Sequence, residues 1–250
     1  MEKRVVIITG GGKGIGHGIA RKFAKNNDNI VITGRTLETL EKTAKDLEEE
    51  FKIEVLPIVA DGSNEEEVKN AIKKIIEKFG RIDVLINNAQ ASKSGKMLIE
   101  HTKEDFDLAI NTGLYGTFFY MREAFPYLKE TKGSVINFAS SSGFSGKLGQ
   151  SSYAAAKEGI RGLSRVAATE WGQYGINVNV VAPLVETEQL KKWKEEYPKI
   201  YEETIKGIPM NRFGDAEEDV GSVCLALASS GFKYVSGECI GVEGGVGLRP

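Results

Sequence analysis

Two side chains that could carry proton chemistry stand four residues apart, at Tyr153 and Lys157. On a helix, residues four apart lie on one face, so the phenol and the ammonium would be neighbours. A free tyrosine titrates near ~10, which makes it a poor acid or base at neutral pH. Because a fixed cation favours the phenolate, the pair predicts a tyrosine with a lowered pKa. The alternative is a surface tyrosine packed over a lysine stem, since such pairs are common.

A glycine-rich segment, Thr9 to Gly16, separates the first apolar run from the first helical pattern. Glycine permits a tight turn and a close backbone approach to a pyrophosphate, and the N-terminus of the next helix offers free N–H groups to the anion. The spacing is Gly-x-x-x-Gly-x-Gly, so a plain strand-to-helix turn is the alternative interpretation. Its position at the first strand-to-helix junction favours dinucleotide binding.

The second apolar run ends in Gly34-Arg35-Thr36, where the cofactor can be discriminated. An acidic residue at this place would bind the ribose 2′-hydroxyl of NAD. No carboxylate is present, and Arg35 could bind a 2′-phosphate bidentately, with Lys13 as a second cation nearby. We therefore expect NADP(H) rather than NAD, and the alternative is that both side chains are ordinary surface cations.

Short apolar runs alternate with helical patterns and supply the elements that would position these residues. The runs are continuous, which indicates strands buried on both faces of a parallel sheet. The sequence predicts a single α/β domain, residues 1–250, with a doubly wound Rossmann sheet of about seven strands and helices on both faces. Two helices are predicted to begin at capping residues, Ser63 with Glu66 and Asp215 with Glu218. The predicted strands are Val5–Thr9, Ile30–Thr33, Val55–Val59, Val84–Ile86, Val135–Phe138, Val178–Val181 and Ile240–Val242.

Composition limits the classes of partner. The chain has 250 residues, of which 41% are hydrophobic and 27% charged, with a net charge of -2. It has no long run of Lys or Arg, so neither nucleic acid nor an anionic membrane is expected as a partner. No apolar run approaches the ~18 residues of a membrane span and no signal peptide is recognised, so we expect a cytoplasmic protein. The cysteines and histidines match no ligand spacing, and no metal site is predicted.

Four motifs occur in one order along this pattern: the glycine-rich loop, Asn87-Asn88-Ala89, a strand that ends in Ser140, and Tyr153-x-x-x-Lys157. Together they resemble the short-chain dehydrogenase/reductase family over nearly the whole chain. The resemblance implies hydride transfer between a nicotinamide cofactor and an alcohol or carbonyl substrate. Their joint occurrence is far more specific than any single motif.

The resemblance also implies a role for each matching residue. Tyr153 would be the general acid/base, Lys157 would lower its pKa and bind the nicotinamide ribose, and Ser140 would hydrogen-bond the substrate oxygen. Asn111 would hold a helix and a water that relays protons through Lys157. A serine-rich turn at Ser140 and a helix bend at Asn111 are the alternative interpretations. The implied cofactor-binding residues are Gly10, Lys13, Gly14, Ile15, Gly16, Arg35, Asp61, Asn88, Ala89, Tyr153, Lys157, Pro183 and Thr187.

Three positions depart from the family pattern. Gln90 replaces the usual glycine after Asn-Asn-Ala and brings a long polar side chain to the region near the nicotinamide. The usual Pro-Gly segment is one residue shorter here and has Leu184 in place of the glycine after Pro183. The sequence therefore does not decide whether Thr187 contacts the nicotinamide. Gly62 stands where a β-branched residue is usual.

Several longer segments carry a finer resemblance: Asn88–Gly95, Tyr120–Glu123, Gly159–Gly162, Glu170–Gly172 and Pro183-Leu184. Together they are similar to the bacterial 12α-hydroxysteroid dehydrogenases. This resemblance implies a small-molecule substrate, a bile acid with a 12α-hydroxyl or 12-oxo group, and NADP(H) as the cofactor. The expected substrate contacts are Gln90, Ser142, Leu184, Leu190 and Trp193. Leu190 and Trp193 belong to a stripe of apolar and aromatic residues within the stretch 184–201. The alternative interpretation is that this stripe is a helix packing face, as such stripes usually are.

Two other functions stay open beside bile-acid oxidoreduction. One is a 3-oxoacyl thioester reductase, or another carbonyl reductase of the same family; the thioester reductase would need a basic patch at the pocket mouth for an acidic carrier. The other is a catalytically idle Rossmann protein that senses redox state, which the combined presence of Ser140, Tyr153 and Lys157 disfavours. The family further implies a homotetramer that associates through helices near residues 105–128 and 152–174.

Overall fold

The computed structural model describes residues 3–247, apart from the side chains of Glu188 and Gln189. The predicted domain ends, residues 1 and 250, lie outside this range. Within it, seven parallel strands form one sheet in the order β3-β2-β1-β4-β5-β6-β7, which confirms the predicted doubly wound fold. The strands are β1 (Val5–Thr9), β2 (Asn29–Gly34), β3 (Val55–Val59), β4 (Val84–Asn87), β5 (Ser134–Phe138), β6 (Asn177–Pro183) and β7 (Cys239–Val242).

Helices cover both faces of this sheet. The α-helices are α1 (Gly14–Lys25), α2 (Leu37–Phe51), α3 (Glu65–Phe79), α4 (Lys103–Ala109), α5 (Gly116–Thr131), α6 (Ser141–Ser145), α7 (Ser151–Trp171), α8 (Glu188–Glu196), α9 (Pro198–Lys206) and α10 (Ser222–Leu227). Two π-helical turns, Ile110–Tyr115 and Ala216–Gly221, lead directly into α5 and α10. Short 3₁₀ turns occur at Leu98–Glu100, Gly172–Tyr174 and Ser230–Phe232.

Successive residues of β1 face opposite layers of the core, because side chains alternate along a strand. Val6 and Ile8 pack with apolar residues of α1, α2 and α10. Val5 and Ile7 pack with residues of α3, α5 and α7 on the other face. Every residue of β1 is buried, which explains why the strands have continuous apolar sequences.

The strand order changes direction beside β1, with β2 and β3 on one side and β4 to β7 on the other. At such a point the connecting loops diverge and leave a crevice at the carboxyl ends of the strands. Ile8 of β1 pairs with Ile86 of β4. This register places the glycine-rich loop beside the Asn87-Asn88-Ala89 segment.

One of the two predicted helix caps is wrong by one residue. Helix α3 is capped by Asn64, whose Oδ1 accepts from the N–H groups of Glu66 and Glu67 at 3.1 and 3.3 Å. The Ser63 hydroxyl instead donates to the Asp61 carboxylate at 2.7 Å, so it is not available to the helix. The predicted cap at Asp215 is confirmed, since its Oδ1 accepts from two N–H groups of the π-helical turn Ala216–Gly221.

No helix within residues 3–247 has the length and apolar character needed to cross a membrane. The same residues contain no cluster of three or more His, Cys, Asp or Glu side chains suited to hold a metal ion.

The contact between α1 and the π-helical turn Ala216–Gly221 leads to a stability prediction. A Cβ on Gly18 would lie 2.6 Å from both the carbonyl carbon and the Cβ of Ala216. Because these atoms cannot rotate away, Gly18→Ala should lower the free energy of unfolding by about 1–3 kcal/mol, measured by urea denaturation.

Gly172→Ala is the matched control. Gly172 has helical dihedral angles, and a Cβ there would meet no atom within 4 Å in the described structure. This variant should be as stable as the wild type or slightly more stable. Equal losses of stability in both variants would contradict the close packing at Gly18.

Candidate active site

The glycine-rich loop has the shape and the free donors of an anion cradle. Gly10 and Gly14 have φ values of +68° and +57°, which favour glycine. A Cβ on Gly16 would lie 2.4 Å from the Gly10 carbonyl oxygen, so the turn is too tight for a side chain. Helix α1 begins without a side-chain cap and without an acidic residue in its first turn. The N–H groups of this turn therefore suit a pyrophosphate, with Ile15 in the same turn.

Thr9 fastens the second wall of the crevice to this loop. Its Oγ1 accepts from the N–H groups of Asn88 and Ala89, each at 3.0 Å. The Asn88 Nδ2 donates back to the Thr9 carbonyl at 3.0 Å. A Cβ on Gly10 would lie 3.1 Å from this Nδ2. The structure thus brings Asn88 and Ala89 against the glycine loop. Sequence reasoning missed Thr9, although its place directly before the loop was a usable signal.

Three charged residues lie where the adenosine end of a dinucleotide would be recognised. Arg35 follows β2, and Asp61 follows β3, its neighbour in the sheet. Burial acts to raise the pKa of Asp61, but the Ser63 N–H and hydroxyl and the nearby charge of Arg35 hold it below its usual value. Lys13 and Arg35 are exposed. Neither Lys13 nor Arg35 takes part in an ion pair among residues 3–247. Both cations are therefore available to a negatively charged group of a bound cofactor.

Ser140, Tyr153 and Lys157 meet at the carboxyl end of β5. Ser140 caps α6, and its Oγ accepts from the Ser142 N–H at 3.2 Å. The Lys157 Nζ lies 5.5 Å from the centroid of the Tyr153 ring. It donates to the carbonyl of Phe138, the last residue of β5, at 2.8 Å. This bond attaches α7 to the end of β5, two residues before Ser140.

The predicted lowering of the Tyr153 pKa is wrong for this arrangement. Burial raises the pKa of the phenol, and the Ser140 hydroxyl only partly opposes that effect. Lys157 is itself fully enclosed, and burial lowers its pKa to about 7. At neutral pH its charge is therefore partly lost, so it cannot favour the phenolate as a permanent cation would. The two pKa values therefore lie further apart than those of free tyrosine and lysine side chains.

Asn111 lies in the π-helical turn Ile110–Tyr115 and is exposed. Its carbonyl accepts the N–H of Gly116. Its side chain makes no hydrogen bond within the described residues. The turn packs on α7, where a Cβ on Gly159 would lie 2.8 Å from Leu114. Gln90 is placed at the same turn, but its amide is buried against Gly113. The role of Asn111 in a proton relay through water therefore stays a prediction.

The segment after β6 holds the remaining cofactor and substrate candidates. Pro183 ends β6, and Leu184 is held on both sides by backbone hydrogen bonds to Val242 and Gly214, at 2.9 and 3.0 Å. Thr187 caps α8, since its Oγ1 accepts from the Leu190 N–H at 3.3 Å. The Thr187 hydroxyl is thus engaged in the start of a helix.

The aromatic residues of α8 and α9 pack mainly on each other. The Trp193 and Tyr201 rings meet edge to face, with centroids 5.9 Å apart. Tyr201 is buried, and its hydroxyl donates to Glu186 at 2.6 Å. This agrees with the interpretation of the stripe as a helix packing face. Leu190 is half-buried on α8, and Ser142 is buried within α6.

A cavity of about 600 Å³ lies between the first turn of α1 and these two helices, lined among others by Gly14, His17, Thr187 and Tyr201. It joins two of the predicted cofactor residues, Gly14 and Thr187, around one space. Ser140 and Tyr153 do not line it. The cavity therefore adjoins the phosphate loop rather than the catalytic group.

Comparison with known proteins gives relatives that match along their whole length. Residues 10–247 match the family described as Enoyl-(Acyl carrier protein) reductase. The chain is 58% identical to a 12alpha-hydroxysteroid dehydrogenase of a Clostridium species, over 100% of this chain and 98% of that protein. It is 36% identical to the 3-oxoacyl-(acyl-carrier-protein) reductase FabG of Thermotoga maritima, over 98% of each. The crystal structure of levodione reductase matches with a TM-score of 0.90, at 33% identity and 98% coverage of both chains.

The buried Lys157 predicts a pH dependence of stability. Its pKa is about 7 in the folded chain and 10.5 ordinarily. Between these values the unfolded chain binds more protons than the folded chain, so this group makes stability rise with pH. The rise should be lost in Lys157→Met, because that side chain does not titrate.

The measurement is the free energy of unfolding of both proteins at several values from about pH 7 to 9.5. As the pH rises, the free energy of unfolding of the wild type should increase relative to that of Lys157→Met by up to about 1.4 kcal/mol per pH unit. Lys78→Met, at an exposed lysine of α3 that pairs with Glu54, is the control and should follow the wild type. Parallel curves for the wild type and Lys157→Met would show that Lys157 keeps an ordinary pKa.

Proposed function

Since the chain belongs to the short-chain dehydrogenase/reductase family, we propose that it is an NADP(H)-dependent oxidoreductase that interconverts a secondary alcohol and a ketone. Its substrate is the 12α-hydroxyl or 12-oxo group of a bile acid. The observation that carries the proposal is the meeting of Ser140, Tyr153 and Lys157 at one strand end. The 58% identity to a 12alpha-hydroxysteroid dehydrogenase supports the choice of substrate.

The residues of the chain divide the chemistry among them. The nicotinamide cofactor supplies or accepts the hydride when it is bound. In reduction, Tyr153 donates its phenolic proton to the substrate oxygen, and the Ser140 hydroxyl donates a hydrogen bond to the same oxygen as negative charge develops. Lys157, with a pKa of about 7, can return a proton to the phenolate at neutral pH. In oxidation, the same groups act in reverse.

The assignment of NADP(H) is supported by the charges at the adenosine end. Arg35 follows β2 where a carboxylate would select NAD, and Lys13 lies in the adjacent loop. Both are exposed cations outside the ion pairs of the described residues. A 2′-phosphate would give them the charge-assisted partner that they lack. The glycine loop binds either cofactor, so it does not discriminate.

Arg35→Asp tests this choice of cofactor. The variant removes a phosphate ligand and adds a carboxylate that can bind a ribose hydroxyl. The ratio of kcat/KM with NADP to that with NAD should fall by roughly 10- to 100-fold, as for the loss of a charge-assisted hydrogen bond. Lys74→Asp makes the same change of charge on α3 and should leave the ratio unaltered. An unaltered ratio in Arg35→Asp would contradict the role of Arg35.

A panel of bile acids tests the substrate. Oxidation of deoxycholate and cholate, which carry a 12α-hydroxyl, should be much faster than oxidation of lithocholate, which lacks it. Tyr153→Phe should lower kcat by roughly 10²- to 10⁴-fold while cofactor binding persists, because only the proton donor is removed. Equal rates on all three acids would contradict selectivity for position 12. A 3-oxoacyl thioester reduced faster than the 12-oxo acid would favour the reductase alternative.

A homotetramer and a cytoplasmic location complete the proposal. Exposed apolar side chains on α5 and α7 support association through these helices, with Phe118 at 36% and Val166 at 55% exposure. Tyr115, in the π-helical turn before α5, is 48% exposed. The cytoplasmic location follows from the expectation drawn from the sequence alone.

A further inference from the structure

We propose that Gln90 is a positioning residue of the active site, whose carboxamide holds the π-helical turn Ile110–Tyr115 in place against α7. The inference rests on the proposed alcohol–ketone interconversion, because one of its readouts is turnover. It concerns a position where the chain departs from its family pattern, since glycine is usual there. Asn111 is the only residue of the turn with a carboxamide of its own, and it is exposed.

The contact between Gln90 and Gly113 is close and specific in shape. A Cβ built on Gly113 would lie 2.8 Å from the Cδ of Gln90, 3.0 Å from its Oε1 and 3.1 Å from its Nε2. Gly113 is buried, and its φ is not among the positive values of the chain. The backbone therefore does not require glycine at 113. The carboxamide of Gln90 occupies the space that a side chain at 113 would take, so a larger residue there would have to displace it.

The neighbouring residues fasten the two segments to each other. The Ala91 N–H donates to the Thr112 hydroxyl at 3.0 Å, and the Ala91 carbonyl lies 3.0 Å from the same oxygen. Thr112 also approaches the carbonyl of Leu108 at 2.6 Å. The segment after β4 is thus tied to the turn at residue 91 and packed on it at residue 90. A change at Gln90 would be transmitted to the backbone of the turn.

The π-helical turn also contacts α7, the helix that carries Tyr153 and Lys157. Leu114, the residue after Gly113, packs so closely on α7 that a Cβ on Gly159 would lie 2.8 Å from it. A displacement of the turn would therefore reach α7 close to Lys157, which is two residues before Gly159.

The polarity of Gln90 also calls for an explanation. Both of its amide atoms are buried and have no hydrogen-bond partner among the described residues. Burying an amide in this way is unfavourable, so an apolar side chain would serve packing alone better. Packing against Gly113 alone does not explain a carboxamide at this position, so the proposed positioning role includes its polarity as well as its shape.

The first experiment tests the contact without any substrate. Gly113→Ala should lower Tm by roughly 2–10 °C, because the new methyl group meets the Gln90 carboxamide. In the Gln90→Gly background, the same Gly113→Ala change should cost no Tm, because the space is empty. An equal loss of Tm in both backgrounds would overturn the contact, and so the proposal. This result stands whether or not the bile-acid function is correct.

The second experiment moves the carboxamide from one side of the contact to the other. Gln90→Gly and Gln90→Leu should each lower kcat by roughly 10- to 100-fold, since small displacements of catalytic groups have effects of this size. Their KM for NADP(H) should stay close to the wild-type value, because the contacts of Thr9 with Asn88 and Ala89 are untouched. The double variant Gln90→Gly/Gly113→Asn, which supplies a carboxamide from the turn, should recover most of kcat.

The outcomes separate the two proposals. Wild-type kcat in Gln90→Gly or Gln90→Leu would overturn the role of Gln90, as would a double variant no better than Gln90→Gly. A loss confined to the KM for cofactor would also overturn it. A wild-type protein inactive on every bile acid would overturn the proposed substrate instead, and the Tm comparison would still decide the contact.

Discussion

Parallel pairing of β1 with β4, and of β4 with β5, is the constraint on which the site depends. Because all strands run in one direction, their carboxyl ends meet at one edge of the sheet. Segments far apart in the chain are therefore delivered to one crevice: the glycine loop after β1, Asn88 after β4 and Ser140 after β5. Continuous apolar strands, buried on both faces, maintain this arrangement. The arrangement of the strands therefore forms the crevice, and contacts among Ser140, Tyr153 and Lys157 are not needed for it.

Burial then sets the chemistry of the groups placed there. Lys157 is enclosed with the Phe138 carbonyl as its hydrogen-bond acceptor, a neutral dipole that offsets only part of the cost of removing an ammonium from water. Its pKa falls to about 7, while burial raises that of Tyr153. Both shifts have the same cause, because burial disfavours the charged form of each group. The charged form is the protonated ammonium for Lys157 and the deprotonated phenolate for Tyr153, so the two pKa values move in opposite directions.

The departures of this chain from its family pattern are local changes with partners elsewhere. Gln90 is accommodated by Gly113, which leaves space for a carboxamide. The short segment after Pro183 ends in Thr187, whose hydroxyl starts α8. Trp193 packs on Tyr201, and Tyr201 binds Glu186, so the aromatic stripe mostly holds its own two helices together. Such pairs stabilise the frame of the site and need not contact the substrate.

The sequence by itself determined the seven strands, their parallel direction and the glycine-rich loop. These depend on periodicity and spacing within short segments, and local patterns are visible in a single chain. The meeting of Ser140 with Tyr153 and Lys157 was implied only by the resemblance to the family. The tertiary structure alone decided the direction of the Tyr153 pKa, the burial of the Gln90 amide and the exposure of Asn111. These depend on solvent exclusion and on contacts between residues distant in the chain, such as 138 with 157 or 90 with 113. No local pattern contains that information, because it arises only when separate segments pack together.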